Sequence, residues 1–386
     1  MFPFGLGIAG PVKPPIKATS HQGKGMDHNN RISVLGLMSG TSLDGIDAAV
    51  VDTDGVDIFG FGECRYAAYD AADQQVIRAG LGAWPGDAPV AAVADLIERR
   101  HHAIAAQFTG MDLVGFHGQT LAHDPDAGRT HQCGNGGTLA TLLGTPVAWD
   151  FRSNDVACGG QGAPLAPVFH HALVRYLGMA KPVAILNLGG VGNVTFVDPT
   201  APPESGLLAF DTGPANAPMN DIMQRCFDAP FDTGGAHAAQ GTVDRAVLAR
   251  FQTHAYFKAP PPKSLDRDEF AGLVADCAGL PPSDALATLS AACVWAVAVG
   301  VKHAPMTPHE LWVTGGGRHN QHIMGQLAQV LNCPVLPIDA HGANGDMLEA
   351  QAFAYLAARV QRGLPLSYPA TTGVAAPTVG GRISKP

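Results

Sequence analysis

No pair of cysteines stands in a CxxC arrangement. The seven cysteines (Cys64, Cys133, Cys158, Cys226, Cys277, Cys293, Cys333) are odd in number and far apart. That argues against a disulfide framework or a structural zinc site and fits a reducing compartment. Sixteen histidines are present, yet there is no HExxH, and His101-His102 and His170-His171 are adjacent rather than at ligand spacing. Charged residues make up only 15% of the chain, the net charge is −9 and no basic run occurs. A nucleic-acid-binding role is therefore not expected, because phosphate backbones are gripped by clustered Lys and Arg. Any phosphate ligand must be held by backbone N–H groups, a metal and single side chains. No apolar run is expected to reach the roughly 18 residues of a membrane span. Met1 to Gly10 is apolar but lacks the basic start of a signal peptide. The expectation is a soluble, cytoplasmic chain with no membrane partner.

What is present is glycine and an apolar framework. The 386 residues are 46% hydrophobic, with 47 glycines and 30 prolines, enough for two cored lobes joined by many tight turns. Residues 1–30 are rich in Pro, Gly, Lys, His and Asn and read as a flexible extension. Val34 to Asp52 then runs apolar strand, polar turn, apolar strand, with Gly40-Thr41-Ser42-Leu43-Asp44-Gly45-Ile46-Asp47 across the turn. Such a tip has the chemistry of an ordinary hairpin. It can also cradle phosphate oxygens on bare N–H groups, with Asp44 and Asp47 holding a hydrated Mg²⁺. A second apolar–glycine–apolar hairpin follows at Val183 to Val197, around Gly189-Gly190. Two such hairpins in the two halves of one chain suggest a duplicated fold about a shared cleft.

Other polar clusters sit at the ends of apolar segments. Leu113 to Phe116 reads as a short strand ending in His117-Gly118-Gln119-Thr120, at the sheet edge where α/β proteins place ligands. His117 is as readily a structural histidine as a ligand contact. Asp150 to Pro164 is the densest polar stretch, holding Arg152, Asp155 and Gln161 among glycines, and reads as a substrate-binding loop. Arg152 offers a planar fork for carboxylate or hydroxyl groups, or an ion pair that pins the loop. Strand Leu207–Phe210 delivers Asp211-Thr212-Gly213-Pro214. Asp211 there suits a general base beside a transferring phosphate, or the N-cap of the helix read from Ala215. Strand Glu310–Thr314 leads into Gly315-Gly316-Gly317, bare backbone on which a base or ribose could lie. Glu349 falls in the first turn of a final helix read from Gly345 to Gln361. It complements the helix dipole there, or reaches a metal or substrate. Leu286 to His303 reads as a buried apolar helix, and the tail after Pro365 as an extended wrap over the surface.

In this order the motifs resemble the anhydro-N-acetylmuramic acid kinases, within the actin-like ATPase and sugar kinase superfamily. The resemblance is carried by Gly36 to Asp47, His117 to Thr120, Asp150 to Pro164, Leu186 to Gly190, Phe210 to Pro214 and Gly315 to Gly317. It runs from about Ile32 to about Gly381. It implies an α/β, two-lobed, ribonuclease H-like fold with a central cleft. Lobe 1 is expected over 31–146 plus 345–386 and lobe 2 over 147–344. It implies an enzyme that uses ATP, Mg²⁺ and water to open 1,6-anhydro-N-acetylmuramic acid and phosphorylate O6, in peptidoglycan recycling. Asp211 becomes the base. Gly40 to Asp47 with Gly189, Gly190 and Gly315 to Gly317 serve the nucleotide, and Asp44 and Asp47 the metal. His117, Arg152, Asp155, Gln161 and Glu349 serve the sugar, and a homodimer is implied. The chain departs from the family pattern at Leu265-Asp266, where Thr-Gly is usual, at Ala215, where Gly is usual, and at Gly136, where proline is usual. Two further readings are a kinase for another amino sugar and a chaperone-like ATPase whose output is a protein partner.

Overall fold

Consecutive residues of the central strands go to opposite cores. In the computed structural model, which describes residues 30–265 and 269–386, the strands β1 (Ile32–Ser39), β2 (Gly45–Thr53), β3 (Ile58–Ala68), β4 (Leu113–Asp124), β5 (Arg129–Cys133), β6 (Val147–Trp149) and β12 (Arg382–Ser384) form one sheet. Strands β7 (Val183–Leu188), β8 (Val191–Val197), β9 (Leu207–Pro214), β10 (Glu310–Thr314) and β11 (Val335–Pro337) form another. Both repeat one topology. The first sheet runs β3-β2-β1-β4-β6 and the second β9-β8-β7-β10-β11. In each, three antiparallel strands are followed by parallel ones. This is the doubled ribonuclease H-like plan of actin-like ATPases.

The helices are α1 (Ala71–Ala79), α2 (Val90–Ala105), α3 (Gly136–Leu143), α4 (Ser153–Ala157), α5 (Pro167–Tyr176), α6 (Pro203–Gly206) and α7 (Asn216–Phe227). They continue with α8 (Arg245–Gln252), α9 (Ala271–Cys277), α10 (Pro282–Val301), α11 (Gln321–Val330), α12 (Leu348–Gln361) and α13 (Pro369–Thr372). Three apolar layers result. Leu35, Leu37, Val114 and Phe116 face α2 and α3 on one outside. Ala184, Leu186, Leu311 and Val313 face α7, α10 and α11 on the other. Between the sheets, Val34, Val51, Ile185 and Trp312 share a core with α5 and α12. Strands covered on both faces read as unbroken apolar runs, which is why alternation is weak in the sequence.

The seating of α12 fixes the later chemistry. A Cβ on Gly36 would stand 1.8 Å from the Ala350 carbonyl oxygen, and one on Gly115 would stand 2.3 Å from that of Phe353. Only glycine lets β1 and β4 carry the helix backbone this close.

Several sequence expectations change here. β6 hydrogen-bonds to β4, so a lobe boundary after residue 146 cuts the first sheet. The strand read over Leu113–Phe116 continues to Asp124 because β5 pairs with it, and His117 to Thr120 lie inside it rather than on an exit turn. The last helix starts at Leu348, not Gly345. The tail is not a surface wrap: Ser367, Tyr368, Thr371 and Thr372 are buried, and β12 pairs with β6. Contrary to the expectation about apolar runs, α10, with a mean hydropathy of 1.7, is long and apolar enough to cross a membrane. It is instead the buried core helix of the second lobe. The extension assigned to 1–30 falls, apart from Asn30, outside the described residues.

Candidate active site

The turn between β1 and β2 is held from several sides. Leu43 takes a left-handed φ of 60°, which its buried side chain compensates, and its N–H meets the Gly40 carbonyl at 3.3 Å. The buried Gln119 donates to that same carbonyl at 3.1 Å, and Gln74 donates to the Leu43 carbonyl at 2.9 Å. The Tyr66 hydroxyl donates to the Asp44 carbonyl at 2.7 Å. Leu43, Gly45 and Ile46 are buried, whereas Thr41, Ser42 and Asp44 are exposed. A ligand at this tip meets backbone, two hydroxyls and Asp44.

Behind the tip, acidic groups crowd together. The Asp47 carboxyl is pushed up to about 7, by burial first and then by Asp44, Glu349 and Asp346. Glu349 is solvent-exposed, yet the protein packed around its carboxyl raises its pKa; the Arg152 guanidinium opposes this and Asp44 adds to it. Neither the Asp47 nor the Glu349 carboxylate hydrogen-bonds to a described residue. Hard, unpartnered carboxylate oxygens of this kind suit a hard divalent cation. Among the described residues no set of three His, Cys, Asp or Glu closes a metal site by itself.

Arg152 lies at the start of α4. Its Nε and one terminal nitrogen reach His117 Nε2 at 3.1 and 3.0 Å, and its other terminal nitrogen donates to the Gly162 carbonyl at 2.7 Å. His117 Nδ1 lies 2.7 Å from the Gly118 carbonyl, so Nδ1 carries the proton and Nε2 offers its lone pair to Arg152. Burial, then Arg152, keep this histidine neutral by driving its pKa well down. Both groups lie against the Phe353 ring. Burial brings Arg152 down to about 10, while Glu349 and Asp155 oppose the drop. His117 is therefore a buried prop for Arg152, not an exposed contact. Asp155 is likewise occupied. Its Oδ1 accepts the Gly162 N–H at 2.6 Å, and its Oδ2 accepts the hydroxyls of Ser367 and Thr372. With both oxygens engaged, Asp155 clamps the loop to the C-terminal segment, and the expectation of direct sugar contact gives way to that role. Gln161 does reach outward: Ser264 donates to its Oε1 at 2.9 Å.

In the second lobe the Gly189 and Gly190 carbonyls accept the N–H groups of Ala215, Asn216 and Ala217, and Asn216 Nδ2 donates to the Leu188 carbonyl at 2.7 Å. Ala215 uses only its backbone in this, so its side chain in place of the usual glycine disturbs nothing in the contact. The three glycines after β10 divide by role. A Cβ on Gly315 would stand 2.3 Å from Asn187 Oδ1 and one on Gly317 2.4 Å from Leu188 Cβ, whereas Gly316 is open. Gly315 and Gly317 are packing positions, and Gly316 presents bare backbone. The buried Arg318 then joins this turn to the first lobe: it donates to the Gly315 carbonyl and pairs with Asp339 and Asp346.

Asp211 lies inside β9, beside a bulge in its pairing with β8. The N-cap reading is excluded, since α7 begins at Asn216 with Ala215 as its cap. Its Oδ2 accepts the Leu265 N–H at 2.8 Å, and Oδ1 has no partner among the described residues. Burial pushes the carboxyl up to about 7, against the pull of that N–H. Leu265 makes the contact through its backbone, so the departure from threonine leaves it intact; Asp266 lies outside the described residues. A cavity of about 190 Å³ opens beside it, lined by Gly190, Val191, Gly213, Pro214 and Leu265 among others.

The candidate residues thus form one circuit. Asp44 and Asp47 act on Glu349, Glu349 acts on Arg152, Arg152 holds Gly162, and its neighbour Gln161 meets Ser264, next to the residue that holds Asp211. Arg318 and Asp346 close the other side. The sequence did not single out Gln119, Tyr256, Arg318, Ser367 and Thr372, which act across long sequence separations, nor Lys263, whose ammonium bonds within its own segment. Only Lys263, directly after three prolines, carried a local signal.

The family model described as anhydro-N-acetylmuramic acid kinase matches residues 32–386. A protein of that name from Ruegeria is 53% identical over 367 residues, covering 94% of this chain and 98% of its own. One from Cereibacter sphaeroides is 58% identical over 355 residues, covering 91% and 96%. Among solved structures, a ROK family glucokinase from Streptomyces griseus with glucose and AMPPNP aligns with a TM-score of 0.42 at 13% identity, over 84% of this chain and 99% of that one.

Proposed function

The chain belongs to the anhydro-N-acetylmuramic acid kinase family, and from that premise we propose how its cleft performs the reaction. The enzyme is an ATP-dependent kinase that opens 1,6-anhydro-N-acetylmuramic acid and phosphorylates O6, in cell-wall recycling. The observation that carries our assignment of the base is Asp211. It is a carboxylate whose pKa burial raises to about 7, with one oxygen pinned by a backbone N–H and the other without a partner among the described residues.

Water attacks C1 of the sugar and yields a proton to Asp211 Oδ1. The C1–O6 bond breaks, O6 bonds to the γ-phosphorus, and the β–γ bridging bond breaks to release ADP. Arg152, aimed by neutral His117, and Gln161 orient the sugar, and Asp155 keeps their loop in place. The backbone at Gly40, Gly189, Gly190 and Gly316 carries the phosphates and ribose. Mg²⁺ held at Asp44 and Asp47 would neutralise charge on the phosphate oxygens. Glu349 stands between the phosphate and sugar ends.

Labelled water tests the scheme. Turnover in H₂¹⁸O is expected to place one ¹⁸O at C1 of N-acetylmuramic acid 6-phosphate and none in the phosphate. Label in the phosphate would mean that water attacks phosphorus, and the assignment would be lost. The state of the base also sets a pH dependence. Asp211 works deprotonated and its pKa lies above the ordinary carboxylate value, so kcat/KM for the sugar should rise as pH climbs through about 7 and level off above it. The profile is to be recorded at saturating Mg-ATP, where Asp47 is held ionised. A flat profile from pH 5.5 to 8 would contradict the assignment.

A further inference from the structure

We propose that Lys263 is a positioning residue for the reaction: its ammonium knots residues 256–265 into a strip that aims the Asp211 carboxylate. The inference rests on Asp211 being the base. Lys263 Nζ donates to the carbonyls of Tyr256 and Ala259, each at 3.0 Å. It also lies 4.4 Å from the centre of the Tyr256 ring and 5.9 Å from that of Phe210. No carboxylate pairs with it among the described residues. A half-buried ammonium without a counter-ion is costly, and burial lowers its pKa accordingly. With two N–H groups on carbonyls and an aromatic face against it, the ammonium is not presented to a phosphate. Its work is internal: it closes the segment across Pro260-Pro261-Pro262.

That closure delivers three contacts to one residue. The Lys263 carbonyl accepts the Asp211 N–H at 3.0 Å. The Tyr256 hydroxyl donates to the Asp211 carbonyl, and the Leu265 N–H holds Oδ2 at 2.8 Å. The strip covers the outer edge of β9, which has no further strand beside it among the described residues. Ser264, between the two anchoring residues, meets Gln161 of the sugar loop, so base and loop are referenced to the same three residues.

The charged surroundings leave positioning as the means of action. The Asp211 carboxyl is set by burial and by the Leu265 N–H. Tyr256 stays a protonated donor, its pKa raised by burial, then by Asp211 and Glu269. His303 packs on Phe210 and has its pKa lowered by burial and by Lys263. Asp221 lines the adjoining cavity. Loosening the strip withdraws the Leu265 N–H from Oδ2, so Asp211 binds its proton more tightly and points less well.

The test uses the full chain with Lys263→Met, Lys263→Arg and Tyr256→Phe. Lys263→Met is expected to lower kcat by roughly 10- to 100-fold and to leave KM for ATP within about twofold. The acid limb of kcat/KM for the sugar should move up by roughly half a pH unit. Lys263→Arg, which can keep both carbonyl bonds, should restore most of the rate. An unmoved acid limb in Lys263→Met overturns the proposal. So does a raised KM for ATP without that movement, which would make Lys263 a nucleotide-binding cation. Should Lys263→Met not fold, Tyr256→Phe decides, since it removes only one hydroxyl. A smaller fall with the same direction of pH movement supports the proposal, and a wild-type profile overturns it. Asp211→Asn separates the two claims. If it is inactive while the strip variants behave as wild type, only this inference fails; if it is fully active, the assignment of the base fails first.

Discussion

Asp211→Asn is expected to lower turnover of the anhydro sugar by about 10³-fold, within the range that a positioned general base contributes, and to leave nucleotide affinity unchanged. Asparagine has nearly the same shape, and its carbonyl oxygen can still accept the Leu265 N–H. What it cannot do is take the proton of the attacking water. The same variant should be more stable than the parent, in a pH-dependent way. The folded-state pKa of Asp211 lies near 7, above its unfolded value of 3.8. Burying the ionised form therefore opposes folding, with no penalty below pH 3.8, a growing one between the two values and a full one above 7. Melting curves at pH 8 should show Asp211→Asn ahead of wild type by about 2–4 °C, with the gap gone at pH 4. An active variant, or one less stable at pH 8, would each contradict a base kept under desolvation strain.

Gly36→Ala is expected to damage stability and activity together. The added methyl would stand 1.8 Å from the Ala350 carbonyl oxygen and 2.5 Å from the Ala354 nitrogen. Both are helix backbone, which cannot swing aside as a flexible side chain can. Overpacking of this kind costs about 1–3 kcal/mol or more. The only relief is displacement of α12, which carries Glu349 in its first turn. A misplacement of about 1 Å in such a group lowers turnover by about 10²-fold. Gly272→Ala is the matched control: it lies in helix α9 with nothing within 4 Å of a new Cβ and should be neutral or slightly stabilising. Wild-type melting and kinetics in Gly36→Ala would show that the helix is not seated by that glycine.

The sequence made local chemistry legible and left long-range occupancy hidden. Glycine-tipped hairpins, the triple glycine and the acidic group after an apolar strand are readable because a few neighbouring residues determine them. The long apolar segments gave both sheets and the buried α10. Asp155 shows the limit. Its neighbours mark a polar loop, but the hydroxyls that engage its carboxylate belong to Ser367 and Thr372, more than two hundred positions away. His117 shows another: the motif His117 to Thr120 suggested an exit turn, but pairing with β5 prolongs the strand and leaves the imidazole to face Arg152. β6 was placed in the wrong lobe because three residues carry no periodicity from which to choose a partner sheet. The glycines at 315–317 were read as one surface, and only their neighbours separate two packing positions from one open one.

The apolar layer between the sheets is shared by both repeats: α12 packs on β1, β2 and β4 of the first, and α5 on β8 and β9 of the second. Each half presents to it a face that its twin's side of the layer now shields from water. Two units of one design have thereby become dependent on each other: excised alone, either would expose the greasy surface through which it now recognises its copy.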